Sequence, residues 1–362
     1  MKPTRLFFLD AVRAFAILMM LQGHFIDTLL NPIFRDNSNA IYNIWSYLRG
    51  ITAPVFFTIT GLVFVFLLLK AKTKGTDKAR IKKGYNRGLL LIGIGYALRF
   101  SFSTLIYQGF ALRFLEVDVL QCIGLSLIFI IGLYYLSFKN QWILAVLFIT
   151  IGFSIFVSEP LYRTLQFENA PILLTNYLST KNGSVFTIIP WFGFVCFGGF
   201  IAVLFDKFGH KNNYKIYKII GFLCIGLFLT YYSSHALVIT DRVFDIPLFT
   251  QSASYNYLFS RLGNVLIIFG LFYTFENYLK QAIITKIGQK TLSIYVIHFM
   301  LIYGSFIGFS LKHFFYKSFT PTQAIIGAIV FMIVVCIISF YYIRTNTFVY
   351  NKIRRLYKKL RS

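Results

Sequence analysis

Residues 51–69 read ITAPVFFTITGLVFVFLLL, and residues 70–87, directly after them, read KAKTKGTDKARIKKGYNR. The first stretch has no ionisable side chain. The second carries eight Lys and Arg against a single Asp. An apolar run of about 20 residues crosses the roughly 30 Å hydrocarbon core as a helix. Lipid offers the backbone no hydrogen-bond partners, so such a run satisfies its own and becomes helical. A dense basic block just past its end marks a connection on the cytoplasmic side.

The same alternation runs outward along all 362 residues, which are 57% hydrophobic, 19% aromatic and only 13% charged. A soluble domain carries nearer a quarter charged residues, and 43 Phe with 24 Tyr add apolar area that a water-facing surface does not absorb. Apolar runs fall at about 9–30, 51–69, 88–108, 119–137, 142–158, 185–205, 216–233, 258–275, 291–309 and 323–343. The even-numbered connections and both ends of the chain hold 25 of the 36 basic residues. Lys2 and Arg5 lie at the start, Lys139 in the fourth connection, and Lys207, Lys211, Lys215 and Lys218 at the sixth. Lys280, Lys286 and Lys290 lie at the eighth, and seven more in the tail 344–362. That is the positive-inside pattern at every turn. It predicts an all-α, polytopic integral membrane protein of about ten transmembrane helices with both termini cytoplasmic, and 1–362 as one domain.

The net charge of +24 is therefore a topological signal and a match to anionic inner-leaflet lipids, and no nucleic-acid partner is expected. Cys122, Cys196, Cys224 and Cys336 lie singly in apolar runs and read as small buried hydrophobes. No metal is expected. The first run contains Asp10 and Arg13 and is followed by no small-residue cleavage site, so it reads as a retained span. Short connections and a Lys-, Asn-, Ile- and Phe-rich usage suit a bacterial cytoplasmic membrane. Two outward connections, 159–184 with Glu168 and Asn169 and 234–257, are long enough to cover an entrance or simply to connect.

Ionisable residues within the spans carry the chemical information. One charge near a helix centre costs about 2.5–3.5 kcal/mol on insertion scales, so such residues face a bundle interior or a wet cavity. The first span holds Asp10, Arg13, His24 and Asp27. From Arg13 to His24 is eleven steps of 100°, three turns plus about 20°, which puts both on one face roughly 16 Å apart. Asp10 lies three residues before Arg13 and Asp27 three after His24, each within reach of its neighbour. An imidazole titrating near pH 6.5 is the natural general base at neutral pH. Arg99 calls for an acid, with Glu116 and Asp118 as partners and Gln121 one turn deeper. Arg261 and Asn264 enter the eighth span, and Ser293, Tyr295 and His298 lie on the ninth. With these boundaries His298 falls nearer the cytoplasm than His24, too far to touch it.

At these residues the chain resembles a known group. LDAVRAFAILMMLQGH, Leu9 to His24, resembles the first helix of the acyltransferase-3 superfamily, with an Arg and then a His eleven positions on, and Ala14 where that group commonly has Gly. APVFFTITG, Ala53 to Gly61, is similar to the aromatic-rich Ser/Thr-Gly stretch of its second helix. DVLQCIGLSL, Asp118 to Leu127, resembles the branch typified by the heparan-alpha-glucosaminide N-acetyltransferase catalytic domain. IIPWFGFVCFGG, Ile188 to Gly199, and GQKTLSIYVIH, Gly288 to His298, are similar to later helices of the group.

The resemblance implies a membrane acetyltransferase that moves an acetyl or other short acyl group from cytosolic acyl-CoA to a hydroxyl or amine. The acceptor would be a carbohydrate or lipid-linked molecule of the cell envelope. It implies His24 as base, Asp27 orienting the imidazole as the acid of a triad does, and Arg13 on the same stripe. The expected donor-binding set is Asp10, Arg13, Thr58, Thr60, Arg99, Gln121, Tyr295 and His298. Thr58, Thr60, Tyr295 or Arg99 could face the developing oxyanion. A ping-pong route through an acyl-His24 stays open. Ten helices with buried charges also describe a secondary transporter or a flippase of a lipid-linked sugar, although no related halves are visible. A non-catalytic scaffold would not need the His on the Arg stripe.

Overall fold

The computed structural model describes residues 6–359 apart from 164, 166–169, 209–213 and 307. Lys2, Arg5, Glu168, Asn169, Lys211 and the end of the tail, 360–362, lie outside the described residues. The described residues are all-helical, without strands. The principal helices are α1 (Phe7–Leu29), α2 (Thr52–Thr73), α3 (Asp77–Arg99), α4 (Val119–Leu136), α5 (Gln141–Val157), α6 (Ile188–Phe208), α7 (Lys215–Tyr231), α8 (Tyr257–Thr274), α9 (Ala282–Gln289), α10 (Thr291–Tyr303) and α11 (Pro321–Lys359). Short helices fill the connections.

All ten predicted runs fall largely on helices, but ten crossings are not reached on length and composition. Six helical segments among the described residues meet that test: Phe7–Leu29, Ala40–Thr73, Leu112–Leu136, Ile188–Phe208, Tyr257–Thr274 and Pro321–Tyr341. A seventh arises if α7 and Ser233–Phe244, bent by 69°, form one span. α5 and α10 are apolar but shorter. The third run also shifts. Its helix begins at Asp77 and ends at Arg99, and a separate helix, Phe102–Gln108, follows. The basic first half of α3 lowers its hydropathy although it continues the helix. Cys122, Cys196 and Cys336 are buried as expected, whereas Cys224 is exposed.

Helix pairs meet through glycine. A Cβ on Gly61 would lie 2.0 Å from the Val195 carbonyl oxygen, and one on Gly198 would lie 1.9 Å from that of Thr58. Only hydrogen fits at either crossing, so the α2 and α6 backbones touch. The α3–α4 pair closes in the same manner at Gly88 and Gly124, and the α7–α8 pair at Gly226 and Gly263. Lipid tails are as apolar as Leu, so packing between spans comes from such close approach. α1 sits centrally and contacts α2, α8, α9, α10 and α11.

Charges tie the connections together at one end of the bundle, called here the basic end. Lys139 reaches Asp77 at 2.8 Å, Lys70 reaches Asp206 at 3.3 Å and Lys215 reaches Glu276 at 3.8 Å. The long connections carry helices of their own. The first packs inward, with Asn176 Nδ2 donating to the Leu115 carbonyl at 2.8 Å and Ser184 Oγ accepting from Val117 N–H at 2.9 Å.

Candidate active site

The polar stripe of α1 faces α9 and α10. A Cβ on Gly288 would lie 2.1 Å from the Asp10 carbonyl oxygen, so the residue just before the α9–α10 break lets α1 come against it. One turn on, Arg13 Nη2 donates to Thr291 Oγ1 at 3.1 Å. At the other end of the stripe His24 Nδ1 lies 2.9 Å from Tyr303 Oη, whose other neighbour is Thr28. The two ends of the stripe therefore sit against the two ends of α10.

The His24 and His298 rings lie 5.3 Å apart between centroids. This corrects the separation expected from sequence. The helical stretch that carries His298 begins at Ala282 rather than 291, because α9 leads into α10 across the single residue Lys290. His298 is then 16 residues into that stretch, and His24 is 17 into α1. Two helices running the same way from the same end bring them level. His298 is fully buried, and neither ring nitrogen has a hydrogen-bond partner among the described residues. Tyr295, one turn earlier, stacks edge-on to it with centroids 4.9 Å apart.

Tyr295 also lines a cavity of about 370 Å³ between α1, α2, α3, α4, α9 and α10. Its walls are mostly apolar, with Ile17, Met20 and Ile59 among them. Arg13, Arg80, Lys83 and Arg87 line its polar part, toward the basic end. Arg80 lies over the Phe64 ring, and its Nε has no partner. No ion pair engages Arg80, Lys83 or Arg87 among the described residues. A cavity thus joins uncompensated cations at one end to a tyrosine on a histidine pair at the other. Cations of this kind bind phosphates, and the imidazole of His24, behind Tyr295 and His298, is of a type that can accept a proton.

The remaining predicted residues divide. Thr60 lines the cavity, but its hydroxyl donates to the Phe56 carbonyl at 2.7 Å. Thr58 is fully buried, donates to the Pro54 carbonyl at 2.8 Å and does not line the cavity. Arg99 meets both predicted acids, Glu116 and Asp118. Gln121 closes a capping box with Asp118 at the start of α4, its Oε1 accepting from Asp118 N–H at 3.2 Å. These four residues form a clamp outside the cavity. Asp10 acts electrostatically on Arg13 from the neighbouring turn. Asp27 does not hold His24. Its carboxylate pairs with Arg49, and Arg35 Nη2 donates to its carbonyl at 2.6 Å. A guanidinium draws a carboxylate more strongly than a neutral imidazole does, and the short Asp side chain lies a turn farther on.

Tyr303, Thr291, Arg80, Lys83 and Arg87 are the residues that counting charges by connection passes over. The three cations carry a usable signal, since positions 80, 83 and 87 fall within about 60° on one helical face. Tyr303 carries none, because its partner is 279 residues away.

No curated protein matches the chain. The family model of the heparan-alpha-glucosaminide N-acetyltransferase catalytic domain matches residues 5–239, a stretch that contains Arg13, His24 and all three cavity cations of α3. With nearly two thirds of its length matched, this chain belongs to the heparan-alpha-glucosaminide N-acetyltransferase catalytic family, a family of membrane acetyltransferases.

Proposed function

We propose that the protein transfers an acetyl or other short acyl group from acyl-CoA to a hydroxyl or amine of a carbohydrate or lipid-linked acceptor, with His24 as general base. One observation supports this above all. The cavity runs from Arg13, Arg80, Lys83 and Arg87 to Tyr295, which packs on the histidine pair. A CoA donor has phosphates at one end and a thioester at the other, and that polarity matches. The basic end is then cytoplasmic, with both termini on that side and ten crossings of a bacterial cytoplasmic membrane. The acceptor would be part of the cell envelope, reached from the far end.

The residues divide the work as follows. The four cations hold the phosphates, and the apolar walls receive the pantetheine arm. Nδ1–H of His24 donates to Tyr303 Oη, which leaves Nε2 with its lone pair. Nε2 takes the proton of the acceptor O–H or N–H as that atom attacks the thioester carbonyl carbon. The C–S bond then breaks, and the imidazolium returns its proton to the departing thiolate. Tyr303, rather than Asp27, fixes the tautomer, while Asp27 anchors Arg49 at the far rim. His298, buried beside His24 without a partner, and the Tyr295 hydroxyl are the groups nearest to steady charge that develops between them.

The test is acetyl-CoA turnover in nanodiscs, read as free CoA release with a pooled carbohydrate acceptor. Wild type should turn over, and His24→Ala should lose roughly 10²- to 10⁴-fold in kcat with its helical signal and Tm kept. Equal turnover by both would remove His24 from its role. Absence of acetyl-CoA binding by the wild type would remove the donor assignment and bring the transporter reading forward.

A further inference from the structure

The cavity with the four cations stops one helical turn short of the histidine pair. On α1 its lining runs through Arg13, Ile17 and Met20, in steps of four and three along one face. The next residue on that face is His24, which does not line it. On α10 the lining runs through Thr291, Leu292 and Tyr295, and the next residue on that face, His298, does not line it either. The two limits are level, because the two helices run the same way. Met20 and Tyr295, 8% and 7% exposed, thus form the floor of the cavity. A group resting on that floor lies about one turn, ~5.4 Å of helix axis, from the imidazole of His24, beyond the roughly 3–3.5 Å of a reacting pair.

The floor is held by packing alone. The Tyr295 ring meets His298 edge-on at 4.9 Å and stacks on Phe299 at 6.1 Å between centroids. Its hydroxyl has no hydrogen-bond partner among the described residues, so no hydrogen bond resists rotation of the ring. Met20 is unbranched and adapts its shape readily. We infer that Tyr295, with Met20, is a gate between the donor cavity and the histidine pair. The ring closes the passage where it stands, and it swings aside as an acyl thioester enters and offers its carbonyl oxygen to the free hydroxyl. What passes the gate rests on the acyltransferase reading. The gain is selectivity for transfer over hydrolysis. His24 would activate any O–H that reaches Nε2, and water arriving with the donor would cleave the thioester to acetate and free CoA. A gate that opens around the acyl arm admits the thioester and keeps the cavity water behind it.

Two measurements in nanodiscs test this. The first is modification of His298 by diethyl pyrocarbonate, located by peptide mass spectrometry with no substrate present. Wild type should protect His298, and Tyr295→Ala should label it roughly tenfold faster. Tyr295→Phe keeps the ring and should protect His298 as wild type does. Met20→Ala removes the other half of the floor and should fall between, and it carries the test if Tyr295→Ala loses its helical signal. The second is the ratio of acetate formed to acyl group transferred from acetyl-CoA, which should rise severalfold in Tyr295→Ala and Met20→Ala and stay low in Tyr295→Phe. An unchanged ratio in both alanine variants overturns the gate, and so does His298 labelling no faster in them than in wild type. The labelling uses no acyl-CoA, so a wild type that protects His298 but does not bind acetyl-CoA would lose the donor assignment and keep the gate.

Discussion

An imidazole whose Nδ1 lies 2.9 Å from a tyrosine hydroxyl has one nitrogen left for chemistry. Tyr303→Phe removes the hydroxyl and keeps the ring packing against Phe299, whose centroid is 4.7 Å away. It should lower kcat roughly 10- to 100-fold, the cost of leaving a buried donor without its partner, with KM for acetyl-CoA unchanged. Steady-state kinetics separates this from a lesion in donor binding. The cavity cations should give the opposite split. Arg80→Glu with Arg87→Glu should raise KM for acetyl-CoA at least tenfold, leave kcat nearly constant and weaken the salt dependence of kcat/KM. The Arg13–His24 stripe was legible in the chain because eleven residues of helix is a rigid ruler. Tyr303 was not, because its pairing with His24 is decided by how two distant helices cross. Asp27 stood at the right spacing to orient His24, yet Arg49, arriving from a separate helix, takes it.

Among elements, the glycine crossings set where substitutions are tolerated. Gly198→Ala puts a methyl group into the Thr58 carbonyl and should force α2 and α6 apart, costing at least about 1–3 kcal/mol as overpacking does. Gly93 in α3 has open space where a Cβ would go, so Gly93→Ala should be neutral or stabilising by up to about 1 kcal/mol, as helix propensity dictates. Thermal unfolding of the two variants in one detergent makes the comparison. At the basic end, Lys139 holds the Asp77 carboxyl below its usual carboxylate range. The stability from this pair is present above the ordinary Asp pKa and is lost as pH falls through the lowered value. Asp77→Asn should therefore flatten the acid limb of a Tm-versus-pH curve by lowering its neutral region, the two curves converging in acid. Element boundaries and the number of crossings were less legible than the all-helical membrane class. Hydropathy sees where a helix is apolar; α3 begins in charged turns, and α9 carries Lys286 and meets α10 at Lys290. Both were therefore read about ten residues late, and that shift alone kept His298 apart from His24.

At the scale of the molecule, the helical membrane class and the family followed from composition, alternation and a few ordered motifs, and the arrangement of helices did not. Nothing local announces that Gly61 lies on Val195 or that Asp10 lies on Gly288. Those contacts carry a consequence in time. The α3–α4 and α7–α8 pairs join near neighbours in the chain and can close soon after they leave the ribosome. The α1–α9 contact joins residues 278 apart, and His24 waits for Tyr303, 279 positions later. Helix α1 is thus completed by α10, made long after it. A nascent chain that has reached residue 250 already holds His24 and the cavity cations of α3, and still lacks the α9–α10 wall against which they pack. Synthesis itself keeps the site unassembled until α10 has been made.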